Sequence, residues 1–450
     1  MSTDFIPEDA LYAVSEMKQV SRNKFRIELN SGSTASGSSV VSCNLPENSI
    51  IDLHSLKFVF DAICTGSTVG AATVFGKLPA HALSLFQSMS VYINGQQVQQ
   101  SQPEFGTIAA ALRLTASNMD HDNSIARLCS HSYITNDDVN DDETLVAQNW
   151  PGFITQGSSR YLNTALVGNI QIRLVVNDGS CLVPKETGQD IGTNFTSADA
   201  RAAAANIKFT LSSMYFCIDT VSLDPMYSEM LSERLQSVGL QVNYKEHYFY
   251  ELGNISAGQA NLRWGLSSQS VDDCTSFFRD SNHTATGIRG EALADAAGVN
   301  AFVSNSHRFR CYNGGVFLKA GNFRSQFSVN SVRYPQYQAT IIDAAANAAY
   351  VQNKVGLDAG HLITSKSAYE NGKFVDKLIL NMPTRKGVAI KSGYDSRGLN
   401  TQLNYQVQGM TVPAATPTGS QETGILSAGC VVSTTATLNI MLGRDLMTVF

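Results

Sequence analysis

The densest run of potential ligands in this 450-residue chain is Asn136-Asp137-Asp138-Val139-Asn140-Asp141-Asp142-Glu143, with five carboxylates between positions 137 and 143. Carboxylate oxygens are the ligands of Ca²⁺, but the run lacks the glycine and the ligand spacing of an EF-hand loop. A charge run of this kind is expected to be a solvated loop. A second candidate is Glu246-His247 with Glu251, which could supply an acid and a base. Adjacent strand positions face opposite ways, and the expectation is that Glu246 and Glu251 share a face that His247 does not. Gly76-Lys77-Leu78 resembles the end of a phosphate loop, yet its spacing is wrong and no hydroxyl residue follows to hold Mg²⁺. No G-x-S-x-G, H-E-x-x-H or G-x-G-x-x-G is present. The eight histidines form no metal-ligand pair, and the eight cysteines no C-x-x-C. The expected set of catalytic, cofactor-binding and metal-binding residues is therefore empty.

The elements that would have to position any site are mostly strands. Phe25, Ile27 and Leu29 alternate with polar residues; Leu56, Phe58 and Phe60 line one face of residues 53–63; Ile170, Ile172, Leu174 and Val176 alternate cleanly. Residues 86–112 form a specific unit. Val91 and Ile93 lead into Asn94-Gly95, a pair suited to a type I′ turn, and Val98 restarts the apolar face. Ser101 to Glu104 gives a capping box with Pro103 near the first helical position, ahead of the helix through Ile108 and Leu112. Residues 327–353 echo this unit about 240 positions later: Val329, Val332 and Tyr334 for the strands, then Ile341, Ile342 and alanines for a helix. The echo implies a chain built twice on one plan. Between the copies, Asp224 and Pro225 can start a helix that Gly239 ends, with Met226, Met230, Leu231, Leu235 and Val238 on one stripe. The organisation expected is an arm over 1–23, a first sandwich over 24–220, a linker helix over 221–240 and a second sandwich over 241–450. The class is all-β, a sandwich with short helical insertions repeated once.

Composition agrees. Hydrophobic residues make up 43% and charged residues 16%, enough for two cores of about 200 residues each. A net charge of −6 and the lack of basic clusters beyond His307–Arg310 and Arg385-Lys386 argue against sequence-specific nucleic-acid binding. The N-terminal residues have neither the basic nor the apolar region of a signal peptide, so the protein is expected to be made inside the cell with its cysteines reduced. No apolar run reaches the length of a membrane span.

Three stretches, LHSLKFVFDA at 53–62, SLFQSMSVYINGQQVQQ at 84–100 and TATLNIMLGRDLMTVF at 435–450, resemble the double jelly-roll major capsid proteins of adenoviruses, tailless lipid-containing phages, virophages and polinton-like viruses. The motif likeness covers about 40 residues and is weak in the second half, and the chain is short for that family. The resemblance implies two consecutive eight-stranded jelly rolls, a homotrimer with a pseudo-hexagonal base, and capsomer–capsomer contacts that close an icosahedral shell. It also implies penton and minor capsid proteins as partners, a place in the virion, no enzymatic activity, and outer towers from the loops at 182–205, 280–300 and 411–428. The alternatives are a two-sandwich attachment or carbohydrate-binding protein, for which Trp150 and Trp264 are the available aromatic platforms, and an enzyme with two carboxylates facing across a cleft.

Overall fold

Strand pairing follows from alternation: where every second residue is apolar, one face can be buried and the chain extends. In β3 (Ile50–Thr65), Leu56, Phe58, Phe60, Ala62 and Cys64 are buried while His54, Lys57 and Ile63 reach solvent. The structure is a computed structural model. It describes residues 19–30, 32–79, 82–99, 104–116, 137–189, 197–223, 239–255, 258–280, 323–341, 376–380, 393–397, 401–410, 426–441 and 446–449, and parts of 229–236 and 293–301.

The first half has eight principal strands: β1 (Gln19–Ile27), β2 (Val40–Asn44), β3, β4 (Phe86–Ile93), β5 (Gln96–Gln99), β6 (Asp142–Ala147), β7 (Ile170–Val176) and β8 (Lys208–Leu223). They pair antiparallel in two sheets, β1-β8-β3-β6 and β2-β7-β4-β5, with Tyr161–Asn163 sharing the β3 edge with β6. The second half has β9 (Leu240–Ile255), β10 (Gly258–Leu266), β11 (Val271–Asp280), β12 (Phe323–Val329), β13 (Val332–Ile341), β14 (Asp376–Ile379), β15 (Thr401–Met410) and β16 (Leu426–Ile440). Its sheets are β9-β16-β11-β14 and β10-β15-β12-β13. Numbered within each half, both read 1-8-3-6 and 2-7-4-5, the strand order of a jelly roll. The chain is a jelly roll made twice.

The repetition extends to single atoms. Asn94, at φ +50°, opens the β4–β5 turn ahead of Gly95 at φ +80°, the positive pair that a type I′ turn needs. Its Oδ1 accepts from Asn169 N at 3.0 Å and its backbone N donates to Asn169 O at 2.9 Å, so the turn is tied to the start of β7. In the second half Asn330, at φ +54°, turns β12 into β13. Its Oδ1 accepts from Gln402 N at 3.0 Å and its N donates to Gln402 O at 2.8 Å, tying this turn to β15. The echo in the sequence is thus strands four and five of each jelly roll. It ends one element early, however: Ile341 is the last residue of β13 rather than part of a helix, and 342–353 lie outside the described residues.

Each core lies between its sheets. In the first, Phe58 stacks on Phe216 at 4.4 Å, and Phe86 meets Phe60 edge-on at 5.8 Å. The second is built around Trp264, Phe327, Tyr405, Cys430 and Val432. Among the described residues, three α-helices punctuate the first half: α1 (Phe105–Ala116), α2 (Thr164–Val167) and α3 (Ala198–Ala204). The described residues within 229–236 are helical and Gly239, at φ +80°, follows. Leu235 is buried in the first core, but Met230 is exposed and off the expected stripe; Asp224, Pro225, Met226, Leu231 and Val238 are outside the described residues. The first strand begins at Gln19, inside the stretch expected as an arm. Residues 182–205 are not all loop, since they contain strand Val183–Glu186 and α3; most of 280–300 and 411–428 falls outside the described residues.

Candidate functional site: the junction of the two jelly rolls

The acidic run is not open to a cation. Lys77 and Lys185, whose side chains are 1% and 2% exposed, sit beneath it on neighbouring strands Ala72–Lys77 and Val183–Glu186. Lys77 Nζ pairs with Asp137 and, at 3.1 Å, with Asp141; Lys185 Nζ pairs with Asp138. Asp141 also accepts from Leu78 N at 2.8 Å, and Asp138 from Gly188 N at 3.1 Å. The hydrogen bond from Lys185 holds the Asp138 carboxyl below its usual range. A buried ammonium needs such neighbours, because an unpaired one would be strongly destabilising. The run is therefore a latch over a small three-stranded sheet, and its last residues, Asp142 and Glu143, already belong to β6. Gly76-Lys77-Leu78 serves as the other half of that latch, with no resemblance to a phosphate cradle. Among the described residues no group of three or more His, Cys, Asp and Glu is placed to hold a metal ion.

The other singled-out residues lead to one place. Glu246 and His247 are both buried on β9, whereas Glu251 is exposed. The expected sharing of a face by Glu246 and Glu251 fails because five is an odd offset, and a period of two then inverts the side. β9 and β16 are 16 and 15 residues long, longer than one sandwich needs, and their excess runs against the first jelly roll. On one face Val242, Tyr244, Ala436, Leu438 and Ile440 join the first core. Tyr244 meets Phe153 edge-on at 5.3 Å and its hydroxyl donates to Val98 O at 2.7 Å. Burial pushes this phenol far above its usual range. On the opposite face Ile108 and Ala111 of α1 pack with Phe277 and Val431. The free edge of β9 is covered as well: Ser158 N donates to Asn243 O at 2.6 Å and Lys245 N to Gln156 O at 3.2 Å. Covering an edge in this way removes a site of unwanted strand pairing.

A polar row runs beneath that edge. Lys245 pairs with Asp272, which also accepts from Thr435 Oγ1 at 2.6 Å and Ser270 Oγ at 3.0 Å. Burial raises the Asp272 carboxyl, against the downward pull of Lys245. His247 Nδ1 lies 3.0 Å from Ser433 Oγ, and Nε2 lies 2.7 Å from Gln156 Oε1. Sequence reasoning found Glu246 and His247 but not Gln156, Tyr244, Asp272 or Ser433. The available signal was the aromatic density of residues 244–250, more than a single sandwich face absorbs. Ser433 Oγ is next to His247 Nδ1, but it donates its hydrogen to Asp273 Oδ1 at 2.9 Å rather than to the ring, unlike the nucleophile of a catalytic triad. Trp150 and Trp264 are buried, and Trp150 Nε1 donates to Leu56 O at 3.1 Å, so neither offers a platform for a sugar. Cys43, Cys64 and Cys430 are buried free thiols, Cys181 and Cys274 are buried as well, and burial pushes Cys430 up to about 12. No helix of the described residues is long and apolar enough to cross a membrane.

No protein-family model matches the chain, and no curated protein matches it in sequence. Solved structures do match in shape. The PBCV-1 protein VP54, in a crystal structure fitted into a reconstruction of the virophage Sputnik, superposes with a TM-score of 0.63 at 15% identity, covering 96% of each chain. A chain of the Sputnik virophage structure gives a TM-score of 0.55 at 12% identity over 96% of this chain and 88% of that one. The Faustovirus major capsid protein gives 0.55 at 8% identity, over 98% of this chain and 92% of that one. The fold that the strand order defines is thus the double jelly roll of these viral proteins.

Proposed function

We propose that the chain is a major capsid protein, a structural subunit that assembles into an icosahedral viral shell. The observation that carries this is the same eight-strand order found twice in one chain, superposing over 96% of its length on PBCV-1 VP54. Two jelly rolls in one chain let three chains present six sandwiches, so that a trimer fills a six-fold lattice position. The reading takes 24–220 and 241–450 as the two rolls, joined through 221–240, with an arm before them. It takes other copies of the chain as the main partner, with penton and minor capsid proteins completing the shell. The protein then acts in the virion by tiling rather than by catalysis. The test is native mass by light scattering, followed by negative-stain microscopy. Three copies of 48.6 kDa, about 146 kDa, with a hexagonal outline or closed shells is the result expected. A monomer that never assembles would overturn the reading.

A further inference from the structure

We infer that His247 is a proton-operated clasp between the two jelly rolls, carried as an imidazolium when the junction is tight. The inference rests on donor and acceptor accounting at three bonds. Ser433 Oγ has one hydrogen, and it donates that hydrogen to Asp273 Oδ1 at 2.9 Å. The same Oγ, 3.0 Å from His247 Nδ1, can then only accept there, so Nδ1 carries a proton. On the far side of the ring, Gln156 Oε1 already accepts from Gly152 N at 2.8 Å, which fixes the oxygen of that amide toward the ring. His247 Nε2, at 2.7 Å from the same oxygen, must also be a donor. A ring with both nitrogens donating is the cation.

The bond to Gln156 crosses the junction. Gln156 belongs to the first jelly roll; His247, Ser433 and Asp273 belong to β9, β16 and β11 of the second. Two carboxylates of its own half lie near the ring. Asp273 lies beyond Ser433, and Glu246 lines the same small cavity with its carboxylate hydrogen-bonded by Tyr248 at 2.9 Å. The first jelly roll faces that cavity with Met89, Gln99, Phe105, Ile108 and Pro151, none of them charged. Loss of the Nδ1 proton to water leaves an acceptor there. The Ser433 hydroxyl then swings from Asp273 to Nδ1, so Asp273 loses a donor and the Gln156 bond loses its charge assistance. Both changes loosen the junction.

The sign follows from linkage. The folded state favours the protonated ring, so the stabilisation is complete in acid and is lost as pH rises past the ordinary histidine range of about 6.5. The test compares the full-length protein with His247→Gln by thermal unfolding from pH 5.5 to 8.5. Wild type should exceed the variant by about 2 °C more at the acid end than at the alkaline end. A difference that stays constant with pH would overturn the clasp. A second variant, Gln156→Glu, keeps the fold's acceptor and adds a charge opposite the ring. It should extend the stabilised range to higher pH, and a profile matching wild type would equally overturn the inference.

Discussion

Asp52 offers a place where the sign and size of an effect follow from what each substitution leaves behind. Its carboxylate is fully buried on β3, where it lies across from Asp219 of β8. Arg160 Nε donates to Oδ1 at 3.0 Å and Nη2 to Oδ2 at 2.8 Å, a bidentate fork, while Arg22 Nη2 reaches Oδ2 at 3.3 Å. Arg22 also holds Asp219 through Nε at 2.8 Å. The two arginine side chains are 43% and 50% exposed, whereas the carboxylate is 0% exposed. Removing the carboxylate by Asp52→Ala leaves two cations that water can reach. The loss is then limited to the charge-assisted bonds themselves, about 2 kcal/mol. Removing Arg160 by Arg160→Met leaves a buried anion with one longer contact, and breaking a buried pair from that side costs about 3–4 kcal/mol. At roughly 3 °C per kcal/mol for a domain of this size, Asp52→Ala should lower the unfolding midpoint by about 6 °C and Arg160→Met by about 10 °C. Calorimetry on the two variants and wild type reads this directly. If Asp52→Ala is the more damaging of the two, the argument from the residual charge is wrong.

Calcium at millimolar concentration should leave the unfolding midpoint unchanged, because Lys77 and Lys185 already occupy the carboxylates at 137, 138 and 141; a rise on titration, reversed by chelator, would contradict the latch. The Asp138 carboxyl is depressed by Lys185, so its contribution is present above the ordinary carboxylate range and is lost as pH falls through the depressed value. Hydrogen exchange at Gly188, whose amide donates to Asp138, should therefore lose protection in acid when normalised to the unfolded rate. Native labelling with a thiol reagent, mapped by mass spectrometry, should spare Cys43, Cys64 and Cys430, where burial raises the thiol, and modify them after unfolding. Asn330→Ala should destabilise the second jelly roll by about 2 kcal/mol, through a positive φ and the lost bond from Gln402 N, and Asn94→Ala should do the same in the first; one variant without effect would break the equivalence of the two turns.

What the sequence shows of this fold depends on whether a strand has one face in a core. β3 and β7 do, and their alternation is plain in Leu56, Phe58 and Phe60 and in Ile170, Ile172 and Leu174. β11 does not read as a strand because Asp272 and Asp273 stand near its start. Those carboxylates are tolerated where Lys245, Thr435 and Ser433 meet them, partners 27 to 163 residues away. β6 hides for a related reason: exposed Asp142 and half-buried Glu143 stand at its start in the tail of an acidic run, while Leu145 and Ala147 enter the core. Strand Ala72–Lys77 does not show as a strand because it ends on a lysine, and only the aspartates at 137 and 141 make burial of that lysine acceptable. Local pattern therefore located the jelly-roll strands with a clean apolar face, and long-range ionic pairing concealed others such as β6 and β11. The junction was the least legible part, since Tyr244 finds its acceptor at Val98, 146 positions earlier.

That junction also bears on why the duplication is more than two sandwiches on a string. A short connection alone would leave the second jelly roll free to swing, as domains joined by small polar interfaces do. Here β9 is held on three sides: apolar contacts around Tyr244 on one face, α1 across the other, and backbone bonds from residues 156–158 along its edge. Swinging the halves apart would expose Tyr244, Leu438 and Ile440 on one side and Ile108, Phe277 and Val431 on the other. At about 1.5–3 kcal/mol for each large apolar side chain returned to water, that is comparable to the typical stability of a whole domain. The two rolls should therefore move as one body, as the proposed capsid role requires. Ile108→Asp, which places a carboxylate against Phe277 and Val431, should uncouple them. The expected outcome is two calorimetric transitions in place of one, and a single transition at an unchanged midpoint would mean that the connection and the β9 edge suffice without α1.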